Sequence, residues 1–131
     1  MAAAESYPDD LKYHQDHDWA RLEGDEAVLG ITWFAADSLG ELVHFEPPEV
    51  GATISKDQSY GEVESVKAVS DVIAPLSGEV LEVNGGVVDA PETVNEDPYG
   101  DGWLIRIRMS SASERDQLLS AAEYRKVLED A

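Results

Sequence analysis

The sequence predicts a mainly β domain, a sandwich or a barrel, with helix confined largely to the C-terminus. Three observations carry that expectation. Apolar and polar residues alternate in short runs, the period of a half-buried strand. Turn residues interrupt these runs about every eight to twelve positions, the spacing of β sandwiches and barrels. Two serine–glutamate pairs at capping-box spacing, Ser111 with Glu114 and Ser120 with Glu123, lie near the C-terminus, where each would satisfy the free amides of a helix start.

In chain order, Trp19–Leu22 leads through Glu23-Gly24-Asp25 into Ala27–Ile31, a hairpin pattern. Phe34–Leu39 reads as a short helix stopped by Gly40, the residue that most readily takes the left-handed conformation of a helix end. Glu41–Glu46 is a strand stopped by Pro47-Pro48, since proline cannot donate to a ladder. Tyr60–Val66 and Val69–Ile73 are strands on either side of Lys67, and Glu79–Val83 is a strand ending at Asn84-Gly85-Gly86. Trp103–Met109 is the clearest strand of all. After Ser120, Tyr124, Val127 and Leu128 recur at helical spacing and make one apolar face, expected to dock on the sheet. A short repeat relates Gly40–Glu46 to Gly78–Asn84, with Tyr60-Gly61 and Tyr99-Gly100 following at similar distances. Two such β units would flank a centre near residues 67–70 and set Lys67 at a hairpin tip. The expected organisation is one domain over 1–131, with 1–10 as an acidic N-terminal tail and 111–131 as a C-terminal helical segment.

Composition narrows the function classes. A net charge of −19 over 131 residues opposes a sequence-independent grip on nucleic acid, which needs cations to displace phosphate counterions. It opposes an anionic membrane surface for the same reason. It favours a monomer, through self-repulsion, and partners with basic docking faces. The chain has no cysteine, so it holds no disulfide, thiolate metal site or cysteine nucleophile. A redox-active sulfur cofactor carried here would meet no protein thiol to exchange with. The N-terminal stretch lacks the character of a signal or transit peptide, and the expected location is the cytoplasm.

Lys67, one of four lysines, invites three readings. It is a solvated surface lysine, as most are; or a Schiff-base lysine, which needs a desolvated pocket to depress its pKa; or the attachment point of a carrier cofactor. Glu64 and Asp71 nearby oppose the second, because negative charge holds an ammonium protonated. The third requires a lysine protruding from a rigid tight turn with small neighbours, and Ser65 and Ala68 meet that need.

The surrounding motifs add a resemblance. "GEVESVKAVSD" (61–71) followed by "APLSGEVLEVN" (74–84) resembles the lipoyl-attachment region of the glycine cleavage H-protein family. So, in order and spacing, do "HDWARLEGDEAVLGIT" (17–32), "LGELVHFEPPEVG" (39–51), "VNEDPYGDGWLIRI" (94–107) and "LLSAAEYRKVLE" (118–129). Biotin carriers place methionines beside the lysine, where this chain has Val66 and Ala68. Lipoyl domains of 2-oxo acid dehydrogenases usually read Asp-Lys-Ala and lack the C-terminal part. The resemblance implies a barrel-sandwich hybrid of two small antiparallel sheets, of the lipoyl/biotinyl-carrier type, with C-terminal helices. It implies lipoate in amide linkage on Lys67, with Glu64, Ser65, Val66, Ala68 and Asp71 as the attachment environment. The implied partners are a lipoylating enzyme, a pyridoxal-phosphate glycine decarboxylase, an aminomethyltransferase and dihydrolipoamide dehydrogenase; the chain itself would catalyse nothing. A related lipoyl carrier serving lipoyl relay or sulfur oxidation is the alternative.

In that family the loaded arm folds into a surface cleft, and matching by motif gives Asp16, Asp18, Ser38 and Asp71 as its positions here. Asp18 stands where the family usually has glutamate, and Trp33 where it commonly has aspartate or asparagine; packing on the sheet is the expectation for Trp33. His14 and His17 interleaved with Asp16 and Asp18 lack a third anchor for a metal. "DPYGDG" (97–102) departs from a calcium loop at Tyr99 and Arg108 and reads as a turn.

Overall fold

Nine strands pair into two antiparallel sheets in the computed structural model, which describes residues 2–130. The larger sheet has the spatial order β1 (Lys12–His14), β2 (Asp18–Glu23), β3 (Glu26–Ile31), β9 (Ile105–Met109), β8 (Gly78–Val83) and β5 (Thr53–Ile54). The smaller consists of β4 (Leu42–Glu46), β6 (Ser59–Ser65) and β7 (Val69–Ile73), with β6 in the centre. The two antiparallel sheets and the C-terminal helix agree with the expected class; the larger sheet reaches six strands and does not close into a barrel. Its β1 edge is covered by Leu119, whose amide and carbonyl both bond to Tyr13 at 2.8 Å. Among the described residues no helix is long and apolar enough to cross a membrane.

The inward faces of the sheets make the main core, with Leu29, Leu42, Phe45, Val63, Val72 and Ile107 buried. Each such side chain contributes about 1.5–3 kcal/mol on removal from water. A second cluster covers the outer face of β1–β3 and joins Tyr7, Leu11, Tyr13, Trp19, Val28 and Tyr124. Here Trp19 lies across Gly30, where an added Cβ would stand 2.5 Å from the indole, so only glycine fits beneath it. The segment 1–10 was expected as a tail, but its described part packs down. Tyr7 is buried, the Ala3 amide donates to Asn95 O, and the Tyr99 hydroxyl donates to Ser6 O.

The hairpin expected from Trp19 to Ile31 forms with full register, from Asp18↔Ile31 to Glu23↔Glu26. The short helix is α1 (Trp33–Leu39); Thr32 Oγ1 accepts from the Ala35 amide and Gly40 ends it at φ +85. The strand expected over Trp103–Met109 pairs only from Ile105. Two short helices, α2 (Gly85–Asp89) and α3 (Thr93–Glu96), follow β8, where the Asn84-Gly85-Gly86 signal had suggested only a turn. At the C-terminus the Ser120–Glu123 capping box forms and opens α4 (Ala121–Glu129). The Ser111–Glu114 box does not. Glu114 instead accepts from the Ser77 amide and hydroxyl at 2.8 and 2.9 Å, and Ala112–Gln117 is a 3-10 helix without a side-chain cap. The repeat holds only in part: β4 and β8 are both strands but in different sheets, and Tyr60 lies in β6 while Tyr99 lies in a turn.

Candidate functional site

The β6–β7 hairpin presents Lys67 at its tip. Pairing runs through Glu62↔Asp71, Val63↔Ser70 and Glu64↔Val69, which leaves Ser65–Ala68 to make the reversal. Ser65 is buried beneath it. Its amide donates to Ala68 O at 2.8 Å, and its hydroxyl accepts from the amides of Lys67 and Ala68 at 3.3 and 3.2 Å. Serine suits this place because a short hydroxyl side chain can bond the backbone of its own turn. Val66, Lys67 and Ala68 stand exposed above it. The Lys67 ammonium has no hydrogen bond or ion pair among the described residues, and its stem lies toward the end of α1. A Cβ added at Gly40 would sit 3.7 Å from Lys67 Cε.

Beside the hairpin lies a cavity of about 170 Å³. Its walls come from the β1–β2 turn, from α1 and from β6–β7, and Asp16, Asp18, Ser38 and Asp71 all line it together. Glu64, Val66 and Ala68 belong to the hairpin and do not line the cavity. Phe34, Leu39 and Val63 give the cavity an apolar flank. Asp16, Ser38 and Asp71 are exposed, and Asp71 accepts from the Ser59 hydroxyl at 3.3 Å.

Asp18 differs from these. It is 1% exposed, it accepts a hydrogen bond from the Ile73 backbone, and its Oδ1 has no partner. Burial pushes its carboxyl well above the usual range, and the charge of Asp16 pushes the same way. The Tyr60 hydroxyl, also buried, is likewise without a partner. A buried polar atom without a partner costs about 1–3 kcal/mol.

His17 also lines the cavity, a residue that the sequence reading had considered as a metal ligand and set aside. Its φ of +76 is uncommon for a residue with a Cβ. Its ring lies 4.6 Å from that of Phe34, and its Nδ1 is 2.7 Å from the Tyr124 hydroxyl. Burial lowers its pKa, with Asp16 partly opposing. His14 pairs with Asp57 at 2.6 Å and accepts from the Asp16 amide at 3.0 Å, and His44 pairs with Glu46 at 3.2 Å. Trp33 is half-buried: its indole donates to Ala3 O at 2.7 Å and its amide to the Tyr99 hydroxyl at 2.9 Å. The tryptophan therefore ties the N-terminal segment to α1.

Comparison with known proteins adds a family. The family model described as glycine cleavage H-protein matches residues 11–131. A glycine cleavage system H protein of Carboxydothermus hydrogenoformans is 51% identical over 123 residues, covering 94% of this chain and 95% of that one. One from Rubrobacter xylanophilus is 52% identical with the same coverage. The crystal structure of a glycine cleavage system H protein from Mycobacterium marinum superposes with a TM-score of 0.87 at 43% identity, over 94% of this chain and 99% of that one.

Proposed function

The chain belongs to the glycine cleavage H-protein family, and from that premise we propose that it is a carrier holding lipoate in amide linkage on Lys67. The observation that carries this reading is an unpaired, exposed lysine on a braced turn, beside a cavity with an orphaned buried carboxyl oxygen. When bound through Lys67, lipoate would supply a redox-active disulfide able to carry an aminomethyl group and electrons; the partners implied are a pyridoxal-phosphate glycine decarboxylase, an aminomethyltransferase and dihydrolipoamide dehydrogenase.

The chain's own part is to present, shelter and release. Amide formation removes the charge of Lys67, so the missing counter-ion costs the modified protein nothing. The Ser65 hydroxyl keeps the turn from fraying, which gives a lipoylating enzyme a fixed target. Phe34, Leu39 and Val63 offer apolar contact to a hydrocarbon arm. Asp16, Asp18 and Asp71 offer acceptors to a protonated amine, with the Ser38 hydroxyl at the same cavity; a charge-assisted bond of this kind is about twice as strong as a neutral one. A cation beside Asp18 would also draw its carboxyl pKa back down, because opposite charge favours the ionised form. The reading treats residues 1–131 as one carrier domain, a monomer working in the cytoplasm with these enzymes; the net charge of −19 supports the monomeric state through self-repulsion.

Intact-mass measurement after treatment with a lipoylating enzyme tests the attachment point. The wild type gains one lipoyl group and Lys67→Arg gains none; equal gain by both overturns the assignment. Supplying the modified protein to glycine decarboxylase tests the role. It supports exchange between glycine and bicarbonate, and absence of exchange would point to another lipoyl-dependent complex.

A further inference from the structure

The two walls of the cavity are joined by a residue that does not line it. The Tyr124 hydroxyl lies 2.7 Å from His17 Nδ1 on the β1–β2 turn and 2.8 Å from Thr32 Oγ1 at the start of α1. A single hydroxyl with two such partners donates to one and accepts from the other. The Thr32 amide closes the loop by donating to His17 O at 3.0 Å. Thr32 Oγ1 also accepts from the Ala35 amide, so the same atom caps the helix that carries Phe34, Ala35, Ser38 and Leu39.

Tyr124 is itself held in place. Its ring stacks on Tyr13 at 4.9 Å with 9° between planes, and the Tyr7 ring meets it edge-on at 5.5 Å. The capping box of Ser120 and Glu123 fixes the start of α4 one turn earlier. On the other side, His17 turns inward through its positive φ and rests on Phe34. Loss of the hydroxyl would leave the His17 nitrogen and the Thr32 hydroxyl each short of a partner, with the Thr32 amide to His17 O bond left to join the two walls.

We propose that Tyr124 is a positioning residue for the arm cavity: from the C-terminal helix it holds the β1–β2 turn against the start of α1, and so sets how tightly a loaded arm is sheltered from water. The role rests on the carrier reading of Lys67, but the wall coupling exists without the arm. It assigns to α4, otherwise a docked terminal helix, a part in protecting the cargo.

Tyr124→Phe removes the hydroxyl and keeps the ring stack. In the unmodified protein, nitrogen-15 NMR should show a shifted His17 Nδ1 resonance, and the Ala35 amide should exchange with solvent about tenfold faster, the factor expected from one net hydrogen bond. In the lipoylated, amine-loaded protein, the amine should be lost to water about tenfold faster in the absence of an acceptor. Lipoylation and oxidation of the free dithiol by the dehydrogenase should stay unchanged. Val127→Ala, which trims the apolar face of α4 and leaves the hydroxyl in place, is the control for simple destabilisation. The proposal is overturned if Tyr124→Phe leaves the amine lifetime unchanged, whatever the His17 resonance does, or if Val127→Ala shortens that lifetime equally. Should the wild type fail to take lipoate at all, the carrier reading falls, while the resonance and the amide exchange still decide whether Tyr124 couples the walls.

Discussion

Asp18 is buried with one oxygen unpartnered at a cavity, a cost to the empty fold that the proposed loaded form would offset. Its folded pKa lies above the value near 3.9 of an unfolded aspartate. The sign follows: as pH rises past about 4 the unfolded chain gives up this proton while the folded chain still binds it, so stability erodes with rising pH until the folded pKa is passed. Asp18→Asn cannot ionise and escapes that erosion. The variant should match the wild type below pH 4 and be about 1–3 kcal/mol more stable at neutral pH. Urea unfolding across that range checks it; a constant difference at all pH values would mean that ionisation is not the source. The same variant should hold a loaded amine less well, because it brings no charge to the contact. His17 acts in the opposite sense. Its folded pKa is lowered by burial, so the unfolded chain binds the proton first as pH falls. Stability present above about 6.5 is therefore lost between that value and the lower folded pKa. A His17→Gln variant should flatten this part of the stability–pH curve, and unfolding midpoints between pH 5 and 7 measure it.

On the carrier reading, the β6–β7 hairpin supplies little more than a braced turn to an exposed lysine. Ser65→Ala removes the acceptor for two turn amides and should cost about 1–2 kcal/mol. The amides of Lys67 and Ala68 should exchange faster, and lipoylation followed by mass should slow while still ending at one group per chain. An unchanged time course would separate turn rigidity from recognition. This hairpin was legible in the sequence because alternation, turn spacing and a lone lysine agreed. Other elements were not. β1 and β5 are three and two residues long, too short for any periodicity to show. Ser111–Glu114 and Ser120–Glu123 have the same spacing, yet only the second makes a capping box, because Ser77 takes Glu114 from 37 residues away. Such a competitor leaves no local trace. The site divides in the same way. Asp16, Asp18, Ser38 and Asp71 could be placed through motif resemblance, and all four line one cavity. Tyr124 read as a sheet-docking residue, and its bond to His17, 107 residues away, could come only from the fold.

On the scale of the whole molecule, charge governs encounter. The net charge is −19, and the strands bearing Lys67 expose Glu62, Glu64 and Asp71, with Glu41 and Glu46 on and beside neighbouring β4. Val43, Val66 and Val69 stand exposed among them, so the face around the lysine is acidic with apolar points. A partner suited to it presents cations around a shallow apolar surface. Attraction of this kind acts mainly before contact, steering the encounter and raising the association rate. Salt weakens it, since the screening length falls from about 30 Å at 0.01 M to about 10 Å at 0.1 M. Stopped-flow association with the proposed partner, an aminomethyltransferase, should therefore slow by about tenfold between these two salt concentrations, with the dissociation rate changing far less. Charge reversal at Glu62 and Glu64 should reduce both the rate at low salt and its dependence on salt. Reversal at Glu129, exposed at the end of α4, changes the net charge equally per residue but lies on a different element. If it slows association as much per charge as the Glu62 and Glu64 changes do, overall charge rather than the acidic hairpin face guides the encounter, and the docking surface must be sought elsewhere.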